Sequence, residues 1–188
     1  MRKNGMGIKI FGASNQMNVV LRYNMLGNIK AQNYIQLGEH NDRSSRGYEI
    51  YSNVFFMDDP LANCSNFIIG NCSRYETFDV RIYNNTFVGI KSKSGLYFCN
   101  INDSAGIAAN NLWVDCERIS FSKISDNNNS KNSYTSSDIF RNADAGNFRL
   151  KQPITGAKAL NNVYRIDPDG NIRGQDGAWD YGAYEYKK

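Results

Sequence analysis

Arg22, Tyr51 and Tyr83 stand at one offset of a recurring segment of this chain, and Val20, Glu49 and Arg81 stand two residues earlier in the same segments. If those segments are strands laid one on another, side chains at matching offsets leave the same face and form a vertical stripe. Tyrosine rings stack on sugar faces, and guanidinium groups pair with carboxylate or sulfate. Arg22, Tyr51, Arg81, Tyr83 and Glu49 are therefore candidate binding residues for an extended polysaccharide lying along a strand-to-strand rise of about 4.8 Å. An ordinary solvated sheet face, with Arg and Tyr packed over each other, accounts for the same residues.

A second polar concentration is Glu39-His40-Asn41-Asp42-Arg43, which holds the one His of the chain. With carboxylates and a guanidinium beside it, His40 can serve as acid or base; a solvated turn after a strand is the plainer account. Asp58-Asp59-Pro60 pairs two carboxylates that can hold Ca²⁺, or can simply end a strand in a turn. Lys91 occupies the corresponding place one repeat later. A polysaccharide lyase needs a cation to neutralise a uronate carboxylate and a base to remove the adjacent proton. Asp58 and Asp59 through Ca²⁺, or Arg81 directly, supply the first, and Lys91, His40 or Arg43 the second. A glycoside hydrolase needs two carboxylates across the scissile bond instead.

The elements that must position these groups are visible as a repeat. Val19–Leu26, Tyr48–Phe55, Val80–Phe87 and Gly106–Trp113 share the pattern apolar-x-apolar-x-x-Asn-x-apolar. The apolar pair reads Val19/Leu21, Tyr48/Ile50, Val80/Ile82 and Gly106/Ala108; the Asn column reads Asn24, Asn53, Asn85 and Asn111; the last column reads Leu26, Phe55, Phe87 and Trp113. Apolar residues two apart share one face of a strand and point to a common core. Asn suits a bend, where it tolerates left-handed backbone and can bond its counterpart in the next coil. Between the units lie Ile8–Gly12, Ile35–Gly38, Phe67–Gly70 and Leu96–Cys99, which keep the same pace. The expected fold is all-β, a parallel β-helix in which each strand pairs with its counterpart one turn away. A β-sandwich explains short alternating strands but not one Asn column at one offset.

Units such as Val80-Arg81-Ile82-Tyr83-Asn84-Asn85-Thr86-Phe87 resemble the coils of right-handed parallel β-helix proteins of the pectate-lyase-like superfamily. The resemblance continues through Asp138–Asn142, Gly146–Leu150, Asp167–Arg173 and Asp180–Tyr186, which are similar to the stretch after the last full coil, although Gln152–Ala157 departs from the usual linking segment. It implies a C-terminal set of coils with a closing segment, a polysaccharide partner, and an extracellular or cell-surface location. It carries over no catalytic residues, because no catalytic signature aligns. Fold resemblance alone does not fix activity. A carbohydrate-active enzyme, lyase before hydrolase, a non-catalytic glycan-binding module, and a structural stalk or tail-spike coil stack all remain open.

Composition bounds the rest. The 188 residues suit one domain, and 41% apolar content is enough for a core. About one residue in seven is Asn, which suits a fold with many bends. A net charge of +4 without a basic run argues against nucleic acid. No apolar run approaches the roughly 18 residues of a membrane span. Met1-Arg2-Lys3 is basic, but no apolar stretch follows it as a secretory signal requires. Strand-like sequence begins by Ile8 without a preceding cap, so earlier coils, another chain or a second copy are expected to cover the first coil. Cys64, Cys72, Cys99 and Cys116 lack metal-ligand spacing and read as buried small hydrophobes, with a Cys64–Cys72 disulfide as the alternative. The expected organisation is coils over 1–124, a polar loop over 125–137 and a closing segment over 138–188. The aromatic run Trp179–Tyr186 is expected as a final packed strand capping the solenoid, or as a sugar-stacking platform.

Overall fold

A computed structural model of the chain describes residues 6–10, 18–29, 33–38, 45–58, 66–70, 77–91, 95–98, 104–117, 120–131 and 134–188. Its strands come in successive coils. The first coil holds β1 (Met6–Ile10), β2 (Val19–Arg22) and β3 (Met25–Gly27), and the second β4 (Asn33–Leu37), β5 (Ser45–Tyr51) and β6 (Val54–Phe56). The third holds β7 (Asn66–Ile69), β8 (Thr77–Tyr83) and β9 (Thr86–Val88). The fourth holds β10 (Leu96–Tyr97), β11 (Gly106–Ala109) and β12 (Leu112–Val114), and the fifth β13 (Phe121–Ser122) and β14 (Ile124–Asn127).

Every one of these strands pairs in parallel with its counterpart one coil away. The pairing gives three stacked sheets: β1-β4-β7-β10-β13, β2-β5-β8-β11-β14 and β3-β6-β9-β12. Among the described residues there is almost no helix, and this all-β arrangement of parallel sheets is consistent with a β-solenoid. The register follows the repeat: Val19↔Tyr48↔Val80↔Gly106, Leu21↔Ile50↔Ile82↔Ala108 and Leu26↔Phe55↔Phe87↔Trp113. Gly106 fits its column because a Cβ there would lie 1.9 Å from the Val80 carbonyl oxygen.

Two interactions run down the core. Phe55, Phe87 and Trp113 stack in succession, with centroids 5.4 and 4.1 Å apart and interplanar angles of 11° and 23°. At the bend between the second and third sheets the asparagines form a ladder of fixed polarity. The Nδ2 of each donates to the Oδ1 of the next, at 3.0 Å from Asn24 to Asn53, 3.0 Å to Asn85, 3.0 Å to Asn111 and 2.7 Å to Asn129. The backbone N–H of the same residue joins that acceptor, and Nδ2 also reaches back to a carbonyl of the preceding coil: Leu21 for Asn53, Ile50 for Asn85, Ile82 for Asn111 and Ala108 for Asn129. The buried ladder asparagines are thereby satisfied out of reach of water, whereas the buried side-chain amide of Asn84 at the third bend has no hydrogen-bond partner.

Two expectations change here. The left-handed residue of each bend is not the ladder Asn but the one before it: Tyr23, Ser52, Asn84, Asn110 and Asn128 have φ of 59°, 51°, 51°, 56° and 64°. Left-handed backbone costs a non-glycine residue about 1–2 kcal/mol, which the ladder bonds offset. The stretch read as a polar loop over 125–137 carries β14, in parallel register with β11 from Gly106↔Ile124 to Ala109↔Asn127. Asn129 is the fifth rung, and the buried Ser130 hydroxyl accepts the Trp113 backbone N–H at 2.9 Å. Polar side chains at this end are satisfied by the ladder, so the segment needs no apolar run to hold its place.

The C-terminal segment runs along the flank of the coils rather than across their end. It contains a short helix α1 (Ser136–Ile139), the antiparallel pair β15 (Phe140–Asn142) and β16 (Asn147–Leu150), and β17 (Thr155–Ala157) paired with β18 (Trp179–Asp180). Ile139, Phe140, Phe148, Leu150, Ile154, Ala183 and Tyr184 cover Val54, Val88, Leu112 and Val114 on the outer side of the third sheet. Four of the five left-handed bend residues then hydrogen-bond to it along its length, Asn84 being the exception. Asn128 Nδ2 donates to the Gly156 carbonyl (2.9 Å), Asn110 Nδ2 to the Lys158 carbonyl (2.7 Å) and the Tyr23 hydroxyl to the Ile166 carbonyl (3.1 Å), while Arg173 donates to the Ser52 hydroxyl (3.5 Å). Of the run Trp179–Tyr186, only Trp179–Asp180 is strand, and Trp179 and Tyr184 are buried by packing.

A buried polar knot secures this segment. Arg173, fully buried, pairs with Glu185 at 3.4 Å and donates to the Ala183 carbonyl. Glu185 accepts the N–H groups of Gly174 (2.7 Å) and Asp180 (3.2 Å). Asp180 accepts those of Ile154 (2.6 Å) and Tyr186 (2.8 Å). Asp167 accepts those of Asp169, Asn171 and Glu185. Asp167, Asp180 and Glu185 thus serve as backbone acceptors in the fold, while Asp169 accepts from the Arg149 guanidinium.

Candidate functional site

The outer face of the second sheet brings together most of the sequence-predicted binding residues. Parallel register aligns Val20, Glu49, Arg81 and Ile107 in one column and Arg22, Tyr51, Tyr83 and Ala109 in the next. The two columns differ in their surroundings. Tyr51 is 3% exposed, because the Tyr164 ring of the C-terminal segment stands edge-on to both tyrosines, with centroids 4.9 Å from Tyr51 and 5.0 Å from Tyr83. Arg22 donates to the Tyr51 hydroxyl at 2.9 Å, and its guanidinium lies 5.1 Å from the Tyr23 ring centre. The expected open tyrosine stripe is therefore a packed cluster, with Tyr51 unavailable for stacking on a sugar. Nothing in the sequence pattern alone announces Tyr164 as its cover.

The other column opens on a depression of about 110 Å³ lined by Asn18, Val19, Val20, Gly47, Glu49, Asp79 and Arg81. Arg81 lies between two carboxylates, with Nη1 2.9 Å from Glu49 and Nη2 3.0 Å from Asp79. Burial alone would lower the Arg81 pKa, but the nearby Tyr164 hydroxyl, the Asp79 charge and the hydrogen bond to Glu49 outweigh it and hold it above the usual value. Burial, and next the Glu49 charge, push the Tyr164 phenol up to about 12. Asp79 has φ of 49° and follows Phe78 on β8, a left-handed kink inside a strand that swings its carboxylate to Arg81. Val20 and Ile107, 49% and 38% exposed, are the apolar members of the same column. Sequence reasoning missed Asp79, Asn18 and Tyr164, since Asp79 faces this way only through that kink.

Lys91 does not line this depression. Lys91 is half-buried beyond β9, and His40, Arg43 and Asp59 lie outside the described residues. Asp58 is exposed, its N–H donates to the Asn28 side chain, and it shares a shallow groove of about 190 Å³ with Asp115, Asp144, Phe56 and Phe148. Ser136 donates to Asp115 through both its backbone N–H and its hydroxyl. Among the described residues no group of three or more His, Cys, Asp or Glu side chains is placed to hold a metal ion. Cys116 is a buried thiol that donates to the Phe87 and Val114 carbonyls and whose pKa burial pushes up to about 11, while Cys64, Cys72 and Cys99 lie outside the described residues. No helix among the described residues is long and apolar enough to cross a membrane.

Comparison of the chain with models of known protein families, with curated proteins and with solved structures finds no match. The functional reading therefore rests on the chemistry of the site.

Proposed function

We propose that this chain is a glycan-binding module of a parallel β-helix protein, right-handed and of the pectate-lyase-like type that its repeat resembles, acting at a surface outside the cell. The observation that carries the reading is the Glu49–Arg81–Asp79 cluster beside Asn18, open to solvent on a rigid sheet and flanked by exposed Val20 and Ile107. Carboxylate oxygens accept from sugar hydroxyls, and amide and guanidinium groups donate to them. Apolar side chains on either side suit the C–H faces of a sugar ring. Because both carboxylates already flank the guanidinium, the cluster favours hydroxyl-rich neutral glycans over polyuronates, whose carboxylates would meet Glu49 and Asp79.

A lyase acting on an acidic polysaccharide is the second reading, suggested by the family resemblance as to class alone, with Ca²⁺ at Asp58 and Asp59 and a base from Lys91, His40 or Arg43 proposed from the chemistry of those side chains. One experiment tests both readings. The purified chain is titrated with a panel of neutral glycans and polyuronates, with and without Ca²⁺, while binding heat, reducing ends and absorbance of unsaturated ends are followed. Saturable binding of a neutral glycan that Arg81→Ala or Glu49→Gln weakens, without product, is the expected result. Unsaturated product from a polyuronate would replace it with the lyase. Silence on every channel would leave a structural coil stack.

A further inference from the structure

The two ends of the coil stack are chemically different, and the difference points to what each end is built for. At the N-terminal rim the inward residues Ile8, Ile10, Val19, Leu21, Leu26 and Ile29 pack on the core but are only partly buried. Their second-coil counterparts Ile35, Leu37, Tyr48, Ile50 and Phe55 are at most 1% exposed. The ladder is also incomplete there. Asn53, Asn85, Asn111 and Asn129 each accept on Oδ1 from the preceding Asn and donate Nδ2 to a carbonyl of the preceding coil. Asn24 donates to Asn53 and to its own strand's Arg22 carbonyl, and among the described residues nothing donates to its Oδ1. Among the described residues the upper edges of β1, β2 and β3 likewise have no strand beside them in the three sheets.

At the opposite end β13 and β14 also have no further strand beside them among the described residues and Phe121 is only partly buried, but there the sheet before the bend ends in a charge. The inward column Leu21, Ile50, Ile82, Ala108 ends in Asp126, an exposed carboxylate that accepts Asn129 Nδ2 at 2.6 Å. An inward-pointing charge stops a sheet stack from growing. It also disfavours head-to-tail stacking of two copies, since Asp126 of one would meet Leu21 of the other. Ladder polarity disfavours head-to-head stacking, which would set one Asn24 Oδ1 acceptor against another.

We infer that the N-terminal rim is a strand-accepting surface for a partner polypeptide that lays a parallel strand–Asn bend–strand segment of this same repeat over Asn24, Val19, Leu21 and Leu26. The incoming Asn supplies two donors, its backbone N–H and its amide, to the Asn24 Oδ1, and its apolar pair closes the half-covered core. This is strand addition, in which main-chain bonds give affinity and alternate side chains give register. It stands independently of the glycan site, which lies on the outer face.

The probe is a synthetic peptide of Val80–Val88 in trans, titrated into the intact chain and followed by calorimetry and by hydrogen exchange of the 19–27 amides. One peptide should bind per chain and slow exchange in β2 and β3. The same peptide carrying Asn85→Asp, which has no amide donor, should bind at least tenfold more weakly to the unaltered protein. Asn24→Leu in the protein should have a similar effect while its thermal transition is retained. Absence of binding, or equal binding of the Asp peptide, would overturn the inference. So would slow exchange of these amides in the monomeric chain alone, which would mean that its own residues cover the rim. Protection that grows with protein concentration would assign the rim to a second copy instead.

Discussion

The Tyr164 ring meets that of Tyr51 edge-on, with centroids 4.9 Å apart at 85°, and this contact joins the C-terminal segment to the outer face of the coils. It is what turns an expected open stripe into a packed cluster. Tyr164→Ala should cost about 3–5 kcal/mol, the range for deleting a buried aromatic ring, and should expose Tyr51 and Tyr83. Urea unfolding followed by tyrosine fluorescence measures both effects.

Tyr164 also sets a pH dependence. With its phenol pushed up to about 12 by burial, the native chain keeps this proton after an unfolded chain has released it at the ordinary tyrosine value near 10.0. The resulting stability is fully present below about pH 10 and is lost as pH rises toward about 12. Tyr164→Phe should remove that part of the alkaline slope. Burial raises Tyr23, Tyr83, Tyr181 and Tyr184 as well, so a residual slope remains in urea midpoints measured across this range.

Ladder position should decide the cost of losing a rung. Asn85→Ala removes the acceptor for the Asn53 amide and the donor to the Ile50 carbonyl in a fully buried bend. At about 1–3 kcal/mol per stranded group, a loss of about 3–5 kcal/mol is expected. Asn24→Ala, at the half-exposed rim where water can substitute, should cost about 1 kcal/mol. Equal costs in denaturant melts would mean that the ladder is not the determinant of bend stability.

The repeat made the three sheets and their register legible, because Asn24, Asn53, Asn85 and Asn111 sit at one offset from an inward apolar pair. The fifth rung was hidden by two charges. Ile124-x-Asp126-x-x-Asn129-x-Lys131 is the same unit with Asp at the second apolar place and Lys at the last, and within a polar run it reads as a loop. The candidate site was legible only in part. Register alone aligns Glu49 with Arg81, but Asp79 joins them through left-handed backbone, and Tyr164 arrives from a segment without periodicity. Neither local conformation nor long-range docking leaves a mark in spacing.

The Arg173–Glu185 pair should behave as a unit. Arg173→Met leaves the Glu185 carboxylate buried with only backbone donors, at a cost of about 3–5 kcal/mol near neutral pH. Burial already raises the Glu185 and Asp180 pKa values, so their protonated forms are favoured in the native state. Stability of the variant should thus be closest to the parent below the ordinary carboxylate range and fall further behind as pH rises through it. In a double-mutant cycle with Glu185→Gln, the combined cost should be well below the sum of the two.

Asp79→Gly separates the site from the fold. Glycine adopts the 49° φ of this position without the penalty that a Cβ carries, worth about 1 kcal/mol. The ion pair that it removes involves partly exposed groups, and such pairs contribute about 0–1 kcal/mol. The two effects offset, so the variant should unfold within about 1 kcal/mol of the parent. Glycan binding should nevertheless weaken about tenfold, since one hydrogen bond to a charged acceptor is worth about 1.5 kcal/mol. Calorimetric titration of the variant with whichever glycan binds the parent distinguishes the outcomes. Unchanged affinity would move the binding surface away from Arg81, whereas a large loss of stability would make Asp79 a structural residue whose kink the strand requires.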